Sequence, residues 1–352
     1  MRYLDRGSRL AACAALFVLL AACAPRGVIQ FADPVPDGDI QRIYVVTKHT
    51  VGQGATQYGR DRNVDPTIFR ADISVPPTHE LGQIEWPKRE PDAAKDFVVT
   101  DTQAVRDGAH LASLIASQRS ASQTVVYVHG YNNTLSEAMY RFAQIKADFE
   151  VDGPSVLFAW QSAGDARGYI YDRDSVLVAR DDLVETLKDL TARPGEDVLL
   201  MGHSMGAQLT MEALRQIAIS GDRRVLKKLT GVVLISPDID PDVFRDQMEA
   251  IGKLPVPVVL FISNQDHALS LASFLTGQKE RLGVITSAKQ LEGLNVRVVD
   301  FSALNDGKGL NHLTALTSPA AIKVLREMIA SGTFTADGGE RFIALEGVQA
   351  AQ

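Results

Sequence analysis

Cysteine is almost absent from this sequence. Of 352 residues only Cys13 and Cys23 are cysteines, and both lie near the N-terminus. Residues 24–352 contain no cysteine. This predicts that the protein has no disulfide, no thiol nucleophile and no cysteine-ligated zinc. A nucleophile in this chain is therefore expected to be an oxygen.

A surplus of positive charge is also lacking. Lys and Arg number 36 against 43 Asp and Glu, which gives a formal net charge of -7. Binding to nucleic acid relies on a basic face, so nucleic acid is excluded as a partner. With 45% hydrophobic and 22% charged residues, the composition is that of a globular chain. It excludes collagen-like, coiled-coil and disordered proteins.

The apolar run at the N-terminus is too short to span a bilayer. It covers residues 10–22, 13 residues in all, against the roughly 20 that a spanning helix needs. Arg2, Arg6 and Arg9 precede it. A basic segment followed by an apolar run of this length is typical of a secretory signal, which we predict over residues 1–22.

The end of this run, Leu20-Ala21-Ala22-Cys23, resembles the lipobox of bacterial lipoproteins. The resemblance implies cleavage before Cys23 and a lipid on its sulfur, which would tether the protein to the membrane. Ala24 stands where aspartate often marks retention in the inner membrane, so an outer-membrane protein facing the periplasm is expected. The alternative is a plain signal peptide in which Cys23 is incidental.

Residue patterns divide the remaining chain into four segments. Residues 23–40 are rich in Pro, Gly and Asp and are predicted to be a linker. Residues 41–118 show strand patterns between turn signals and are predicted to be a small β-rich lead-in. Over residues 119–332, near-continuous apolar runs alternate with amphipathic helical patterns, which predicts a catalytic core with a mostly parallel sheet flanked by helices. Residues 333–352 are predicted to be a weakly structured tail.

The individual elements follow from hydrophobic periodicity. Strands are predicted over residues 42–47, 69–75, 96–100, 124–128, 155–160, 197–201, 231–236, 256–263 and 295–301. Helices are predicted over residues 134–149, 174–190, 208–219, 268–275 and 319–330. The segments between strands are short, so no large lid is expected.

One motif indicates nucleophilic chemistry. The strand ending at Met201 leads directly into Gly202-His203-Ser204-Met205-Gly206, and a helix follows. This is a G-x-S-x-G nucleophile elbow in its strand, turn and helix context. Glycine is needed on both sides because the turn leaves no room for a side chain. We predict Ser204 as the nucleophile and His203 as part of the packing of the elbow.

A serine hydroxyl needs a base, and the histidines after Ser204 are the candidates. In enzymes with this elbow the acid and the histidine follow the serine along the chain. Only His267 and His312 do so, and His312 lies in the loop after the last predicted core strand. His267 directly adjoins Asp266 at a strand end. We predict His312 as the base.

Two aspartates compete to orient that histidine. Asp266 follows the strand that ends at Ser263, and Asp238 follows the strand that ends at Ser236. The later strand is the commoner source of the acid, so Asp266 is preferred and Asp238 is the alternative. Asp238 otherwise shapes the pocket or the turn, and Asp240 caps the helix that follows.

Oxyanion stabilisation requires two N–H donors. One donor is expected from Met205, the residue after the nucleophile. The second is expected from Tyr131, in the loop of residues 129–134, which reads His129-Gly130-Tyr131-Asn132-Asn133-Thr134 and is named the donor loop. Gly130 allows close approach there, and His129 is predicted to brace the loop without transferring protons.

Several motifs in order resemble a bacterial α/β-hydrolase family of unknown function, similar to the esterase and lipase superfamily. They are the donor loop, the elbow, Phe158-Ala159-Trp160-Gln161-Ser162-Ala163-Gly164, Tyr171-Asp172-Arg173-Asp174-Ser175 and Ser236-Pro237-Asp238-Ile239-Asp240. The resemblance covers roughly residues 40–330 and implies an α/β-hydrolase fold with a triad of Ser204, Asp266 and His312. Gln161 departs from the family, in which proline is common at that position.

These residues predict a serine hydrolase that needs no metal and no cofactor. The leading interpretation is a carboxylic-ester hydrolase with an acyl-enzyme intermediate, acting on a small or medium soluble ester. Acyl transfer and amide or thioester cleavage use the same triad and stay open as alternatives. A non-catalytic binding lipoprotein on a hydrolase fold is the alternative from a different class.

Overall fold

The structure is a computed structural model of the whole chain. It describes residues 27–49, 62, 65–118, 123–275, 277, 279–304, 309–330 and 342–345. The predicted signal peptide and Cys23 lie outside the described residues, and so does most of the predicted tail.

The described strands and helices are numbered here in chain order. The strands are β1 (Asp39–Thr47), β2 (Thr67–Val75), β3 (Val98–Val105), β4 (Thr124–Val128), β5 (Ser155–Ala159), β6 (Val198–His203), β7 (Leu229–Ile235), β8 (Val258–Ile262), β9 (Val296–Asp300) and β10 (Phe342–Ala344). The helices are α1 (Gly108–Ser117), α2 (Leu135–Asp148), α3 (Tyr169–Leu190), α4 (Met205–Ile219), α5 (Arg224–Lys227), α6 (Pro241–Ile251), α7 (His267–Leu275), α8 (Thr314–Thr317) and α9 (Pro319–Ala330).

The described strands form one sheet in the order β10-β9-β8-β7-β6-β4-β5-β1-β2-β3. All neighbours from β10 to β1 are parallel. The pairs β1–β2 and β2–β3 at the other edge are antiparallel. The prediction of a mostly parallel sheet flanked by helices, with a β-rich lead-in, is confirmed.

Burial on both faces explains the continuous apolar runs of the central strands. In β4, Val126 and Val128 belong to the core cluster that also holds side chains of α3, α4 and α6. Val125 and Tyr127 point the other way, into the cluster with α2 and α9. Because side chains alternate along a strand, a central strand needs apolar residues at every position.

The lead-in differs from its prediction in two places. Strand β3 begins at Val98 and extends to Val105, five residues beyond the predicted end at Thr100. Helix α1 follows it, although no helix was predicted there. The helix begins after Asp107, whose side chain accepts a hydrogen bond from the N–H of His110, and it buries Leu111 and Ile115. An N-cap and an apolar stripe of this short length are weak signals beside the strand patterns that precede them.

A short strand forms near the C-terminus. Phe342–Ala344 of β10 pairs in parallel with β9 and lies within the segment predicted as a tail. The rest of that segment, apart from Leu345, is outside the described residues.

A partly buried ionic contact holds residues 76–85 against α2. His79 Nε2 lies 2.9 Å from Asp148 Oδ1, and His79 Nδ1 lies 2.9 Å from Glu85 Oε2. The other carboxylate oxygen of Asp148 accepts a hydrogen bond of 2.7 Å from the N–H of Gly82. Burial lowers the pKa of His79, but the hydrogen bonds to Asp148 and Glu85 outweigh it and raise the pKa to about 9.

This contact makes stability depend on pH. Because the pKa of His79 rises from 6.5 to about 9 on folding, its stabilising contribution is complete below pH 6.5 and is lost as the pH rises through 9. We expect the free energy of unfolding to fall by about 1–2 kcal/mol over that range, after solvent screening is allowed for. Urea titrations at several pH values measure the change. His79→Gln should flatten the profile and His110→Gln should not; an unchanged slope in His79→Gln would contradict the assignment.

Among the described helices, none combines the length and the apolar character that a membrane crossing requires.

Candidate active site

The predicted site residues meet at the carboxyl edge of the parallel strands. Ser204 follows β6, Asp238 follows β7 and Asp266 follows β8. His312 comes after β9, and the loop of residues 129–134 follows β4. The carboxyl ends of parallel strands lie at one edge of a sheet, which is where this fold type forms its sites.

Ser204 occupies a strained turn. Its backbone has φ 53° and ψ −121°, between the end of β6 and the first residue of α4. L residues other than glycine rarely adopt a positive φ, and such strain collects at functional sites. The turn is held in place because the N–H of Ser204 donates to the carbonyl of Ile235, 2.9 Å away, and its carbonyl accepts from the N–H of Asp238 at 3.1 Å.

Both glycines of the elbow are sterically required. A Cβ on Gly206 would lie 2.2 Å from the carbonyl oxygen of His129, and a Cβ on Gly202 would lie 2.8 Å from Cα of Ala207. Backbone atoms cannot move away as a flexible side chain could. Gly206 therefore brings the donor loop and the first turn of α4 into direct contact.

His312 and Asp266 are hydrogen-bonded. Nδ1 of His312 lies 2.7 Å from Oδ2 of Asp266, which is fully buried. Oδ1 of Asp266 accepts from the N–H of Leu269 at 2.9 Å, so α7 fixes the carboxylate. On the other side, the amide of Asn311 donates to the carbonyl of Gln265 at 3.2 Å and fixes the loop that carries His312.

Asp238, the alternative acid, is engaged elsewhere. Its Oδ1 lies 3.1 Å from Nε of Arg281, and its Oδ2 accepts a hydrogen bond of 2.9 Å from the hydroxyl of Tyr169. Arg281 also donates to the Tyr169 hydroxyl at 3.1 Å, and all three side chains are buried. Burial raises the pKa of Asp238, and the charge of Arg281 opposes that rise. The separate prediction that Asp240 caps the following helix is confirmed, because its side chain accepts from the N–H of Asp242.

The donor loop is braced by stacked rings. His129 stacks on Trp160 with ring centroids 5.1 Å apart and an angle of 6° between the planes. The indole N–H of Trp160 donates to the carbonyl of His129 at 2.7 Å. His49, which the sequence analysis did not single out, contacts the carbonyl of Trp160 at 2.9 Å. Burial lowers the pKa of His129 and of His49 to about 4, so both imidazoles are neutral at pH 7.

The remaining predicted residues lie on the elbow and on the loop that packs against it. His203 is buried with its ring centroid 4.9 Å from that of His312, and burial lowers the pKa of His203 well below its ordinary value. A Cβ on Gly130 would lie 2.5 Å from Nδ1 of His203, so the donor loop packs on the elbow. The ring of Tyr131 meets that of Tyr169 edge-on, with centroids 5.4 Å apart. Met205 is buried as the first residue of α4.

Sequence reasoning missed the role of Asp172. Its carboxylate is fully buried and accepts hydrogen bonds from the N–H groups of Asn132 and Ala163 and from the hydroxyl of Ser162. A signal was present, because Asp172 falls on the buried stripe of α3 between Tyr169 and Val176. A charged residue on an apolar stripe must have polar partners.

A cavity of about 340 Å³ lies away from these residues. It opens between α2, α9 and the sheet, and its walls are mostly apolar, with Phe149, Met201 and Leu325 among them. Among the described residues, no group of three or more His, Cys, Asp or Glu side chains is arranged to hold a metal ion.

A family model matches residues 107–330, more than half of the chain, and is described as an alpha/beta hydrolase of unknown function (DUF900). No curated protein matches the sequence.

Three solved structures are similar at low identity. A dienelactone hydrolase from Anabaena variabilis is 13% identical, with 85% of this chain and 100% of that chain covered and a TM-score of 0.39. An esterase from Thermogutta terrifontis is 14% identical, with 87% and 96% covered and a TM-score of 0.38. An esterase from Pyrobaculum calidifontis is 12% identical, with 95% and 96% covered and a TM-score of 0.34.

Proposed function

The chain belongs to the α/β hydrolases of unknown function of the DUF900 family, and we propose that it is a serine hydrolase that cleaves carboxylic esters. One observation carries the proposal. The hydrogen bond of 2.7 Å between His312 and Asp266 is formed at the sheet edge that also presents Ser204 in its strained turn. A nucleophile, a base and a buried acid at one edge are the parts that acyl transfer to serine requires.

In the first half of the reaction, Oγ of Ser204 attacks the ester carbonyl carbon. His312 accepts the hydroxyl proton at Nε2, since its Nδ1 faces Asp266, whose carboxylate stabilises the imidazolium. The backbone N–H groups of Met205 and Tyr131 stabilise the negative charge on the carbonyl oxygen. The C–O bond to the alcohol then breaks, and His312 returns the proton to the leaving oxygen.

In the second half, water replaces the alcohol. His312 takes a proton from the water molecule, whose oxygen attacks the acyl carbon of the acyl-enzyme. The bond between that carbon and Oγ of Ser204 breaks, and the proton passes from His312 to Oγ. The products are the carboxylic acid and the alcohol, and the enzyme is restored without a metal or a cofactor.

The proposed substrate is a small or medium soluble ester. Between β5 and β6 the chain forms α3 as its one helix, and between β7 and β8 it forms α6 as its one helix. Neither segment is long enough for the large mobile cover that lipases acting on bulk lipid commonly carry.

A fluorophosphonate probe tests the proposal, because it reacts with activated serine hydroxyls. Wild-type protein should be labelled once per chain, with Ser204 as the modified residue, and Ser204→Ala should not be labelled. A folded wild-type sample that takes no label would overturn the proposal.

A lipid anchor is proposed for the mature protein. It rests on the lipobox-like residues up to Cys23, and outer-membrane sorting rests on Ala24. The body of the protein is acidic and adheres poorly to anionic lipid, so the lipid chains would supply the attachment.

Mass spectrometry of the protein purified from membranes tests the anchor. We expect an N-terminal fragment that starts at Cys23 and carries acyl chains. Cys23→Ser should release the protein into the soluble fraction, whereas Cys13→Ser, a change inside the predicted signal, should leave the anchor intact. A mature chain with an unmodified Cys23 would refute the anchor.

A further inference from the structure

Asp172 is a buried carboxylate that the proposed reaction does not use. It lies in the first turn of α3 and is completely inaccessible to solvent. Its Oδ1 accepts from the N–H of Ala163 at 2.6 Å, and its Oδ2 accepts from the hydroxyl of Ser162 at 2.7 Å and from the N–H of Asn132 at 3.1 Å. One carboxylate therefore links the start of α3 to two separate loops.

Both loops belong to the edge of the sheet where Ser204 lies. Asn132 adjoins Tyr131, the proposed oxyanion donor, and it has a positive φ of 56°. The hydroxyl of Ser162, which donates to Asp172, also accepts from the N–H of Asn133 at 3.2 Å. Two consecutive amides of the donor loop are thus held by Asp172, one directly and one through Ser162. A backbone turn at positive φ needs such external support to persist.

An ionised carboxylate suits this position better than its neutral isostere. Every group facing Asp172 in these contacts is a donor, two of them backbone N–H groups that cannot change role. Asparagine has the same shape, but one of its two heteroatoms is an NH₂ donor, so it would oppose a donor at one contact at least. Burial raises the pKa of Asp172, and the three hydrogen bonds act in the opposite direction. A buried charge is costly to place, and here three donated hydrogen bonds offset that cost.

We propose that Asp172 is a positioning residue that holds the oxyanion donor loop of residues 129–134 in its reactive conformation. The proposal rests on the serine hydrolase function proposed above and adds a residue outside the triad and the donor pair. Asp172 does not touch the substrate; it acts through Asn132 and Ser162. Loss of its contacts displaces the N–H of Tyr131 from the developing oxyanion, while the groups that bind the ground-state ester remain.

The test compares Asp172→Asn with Asp174→Asn. Both variants remove one negative charge from the first turns of α3, but Asp174 is exposed and Asp172 is not. For Asp172→Asn we expect kcat on a short p-nitrophenyl ester to fall about 10- to 100-fold with KM changed by less than about threefold. We also expect amide hydrogen exchange in peptides covering residues 129–134 to accelerate at least about tenfold. Asp174→Asn should match wild type in both measurements.

Two results would overturn the proposal. One is an Asp172→Asn protein whose kcat and loop exchange equal those of Asp174→Asn. The other is a loss of activity with unchanged exchange in residues 129–134, which would assign Asp172 a different role. If Asp172→Asn does not fold, Ser162→Ala decides: it removes the hydroxyl that donates to Asp172 and accepts from the N–H groups of Asn133 and Gly164, and wild-type exchange and kcat in it would equally overturn the proposal.

The exchange measurement also separates this proposal from the proposed function. If wild-type protein hydrolyses no ester and takes no fluorophosphonate label, the hydrolase function fails. Exchange in residues 129–134 of Asp172→Asn still shows whether the carboxylate holds the loop.

Discussion

Replacement of Ser204 by alanine is expected to lower kcat on a short p-nitrophenyl ester by about 10⁴- to 10⁶-fold. The substitution removes one oxygen atom, the one proposed to form the bond to the acyl carbon. Alanine leaves the donor loop, the first turn of α4 and the pair of His312 and Asp266 in place. Because these groups bind the ester without the nucleophile, KM should stay close to its wild-type value. Steady-state kinetics with purified enzyme over a range of ester concentrations measure both parameters.

The control for this substitution is Ser220→Ala. Ser220 follows the last residue of α4 and is exposed, so the same chemical change at the other end of that helix should leave kcat unaltered. Wild-type protein and both variants should also unfold at similar urea concentrations. A Ser204→Ala enzyme that keeps about a tenth or more of wild-type kcat would assign the nucleophile to another group.

The second large effect is expected for Asp266→Asn. An amide in place of this carboxylate removes the charge that stabilises the imidazolium and permits the wrong tautomer of His312, so kcat should fall about 10³- to 10⁴-fold. Asp238→Asn should behave differently, because Asp238 pairs with Arg281 and accepts from Tyr169. Neutralising one partner of a buried pair is expected to lower the free energy of unfolding by about 3–5 kcal/mol.

The two variants should therefore rank in opposite order in kinetics and in urea unfolding. Asp266→Asn should show the larger loss of kcat, and Asp238→Asn the larger loss of stability. For the folded fraction of Asp238→Asn, kcat should remain within about tenfold of wild type. A larger loss of kcat in Asp238→Asn than in Asp266→Asn would assign the triad acid to Asp238.

The parallel part of the fold was predictable because its strands are buried on both faces. Apolar runs such as residues 124–128 and 155–160 have few solvated alternatives, and the observed strands β4 (Thr124–Val128) and β5 (Ser155–Ala159) agree closely with them. The elbow was predictable for a related reason. Only glycine fits at positions 202 and 206. The two glycines therefore mark the sharp turn in the sequence itself.

Other features depend on contacts between distant parts of the chain. Asp238 and Asp266 each come just after a strand, and the sequence favoured Asp266 only because the later strand is the commoner source of the acid. They differ in their neighbours, since Arg281 comes from a loop after α7 and reaches Asp238 across the sheet edge. Asp172 was missed for the same reason, because its partners lie near residues 132 and 162, more than two helical turns away in sequence. Local sequence patterns do not show which residues distant in the chain will contact each other.

The order of the strands also affects how the site assembles during folding. The turn of Ser204 is held by Ile235 and Asp238 once β7 has joined β6, but the proposed base, His312, arrives on the loop after β9, and β7 and β8 separate β6 from β9 in the sheet. Contacts between parallel strands are distant in sequence and form slowly. A chain that has folded only as far as β8 thus holds an exposed elbow without a proton acceptor. The proposed hydrolytic activity would then appear only after β9 has joined the sheet, and its recovery during refolding would report that step.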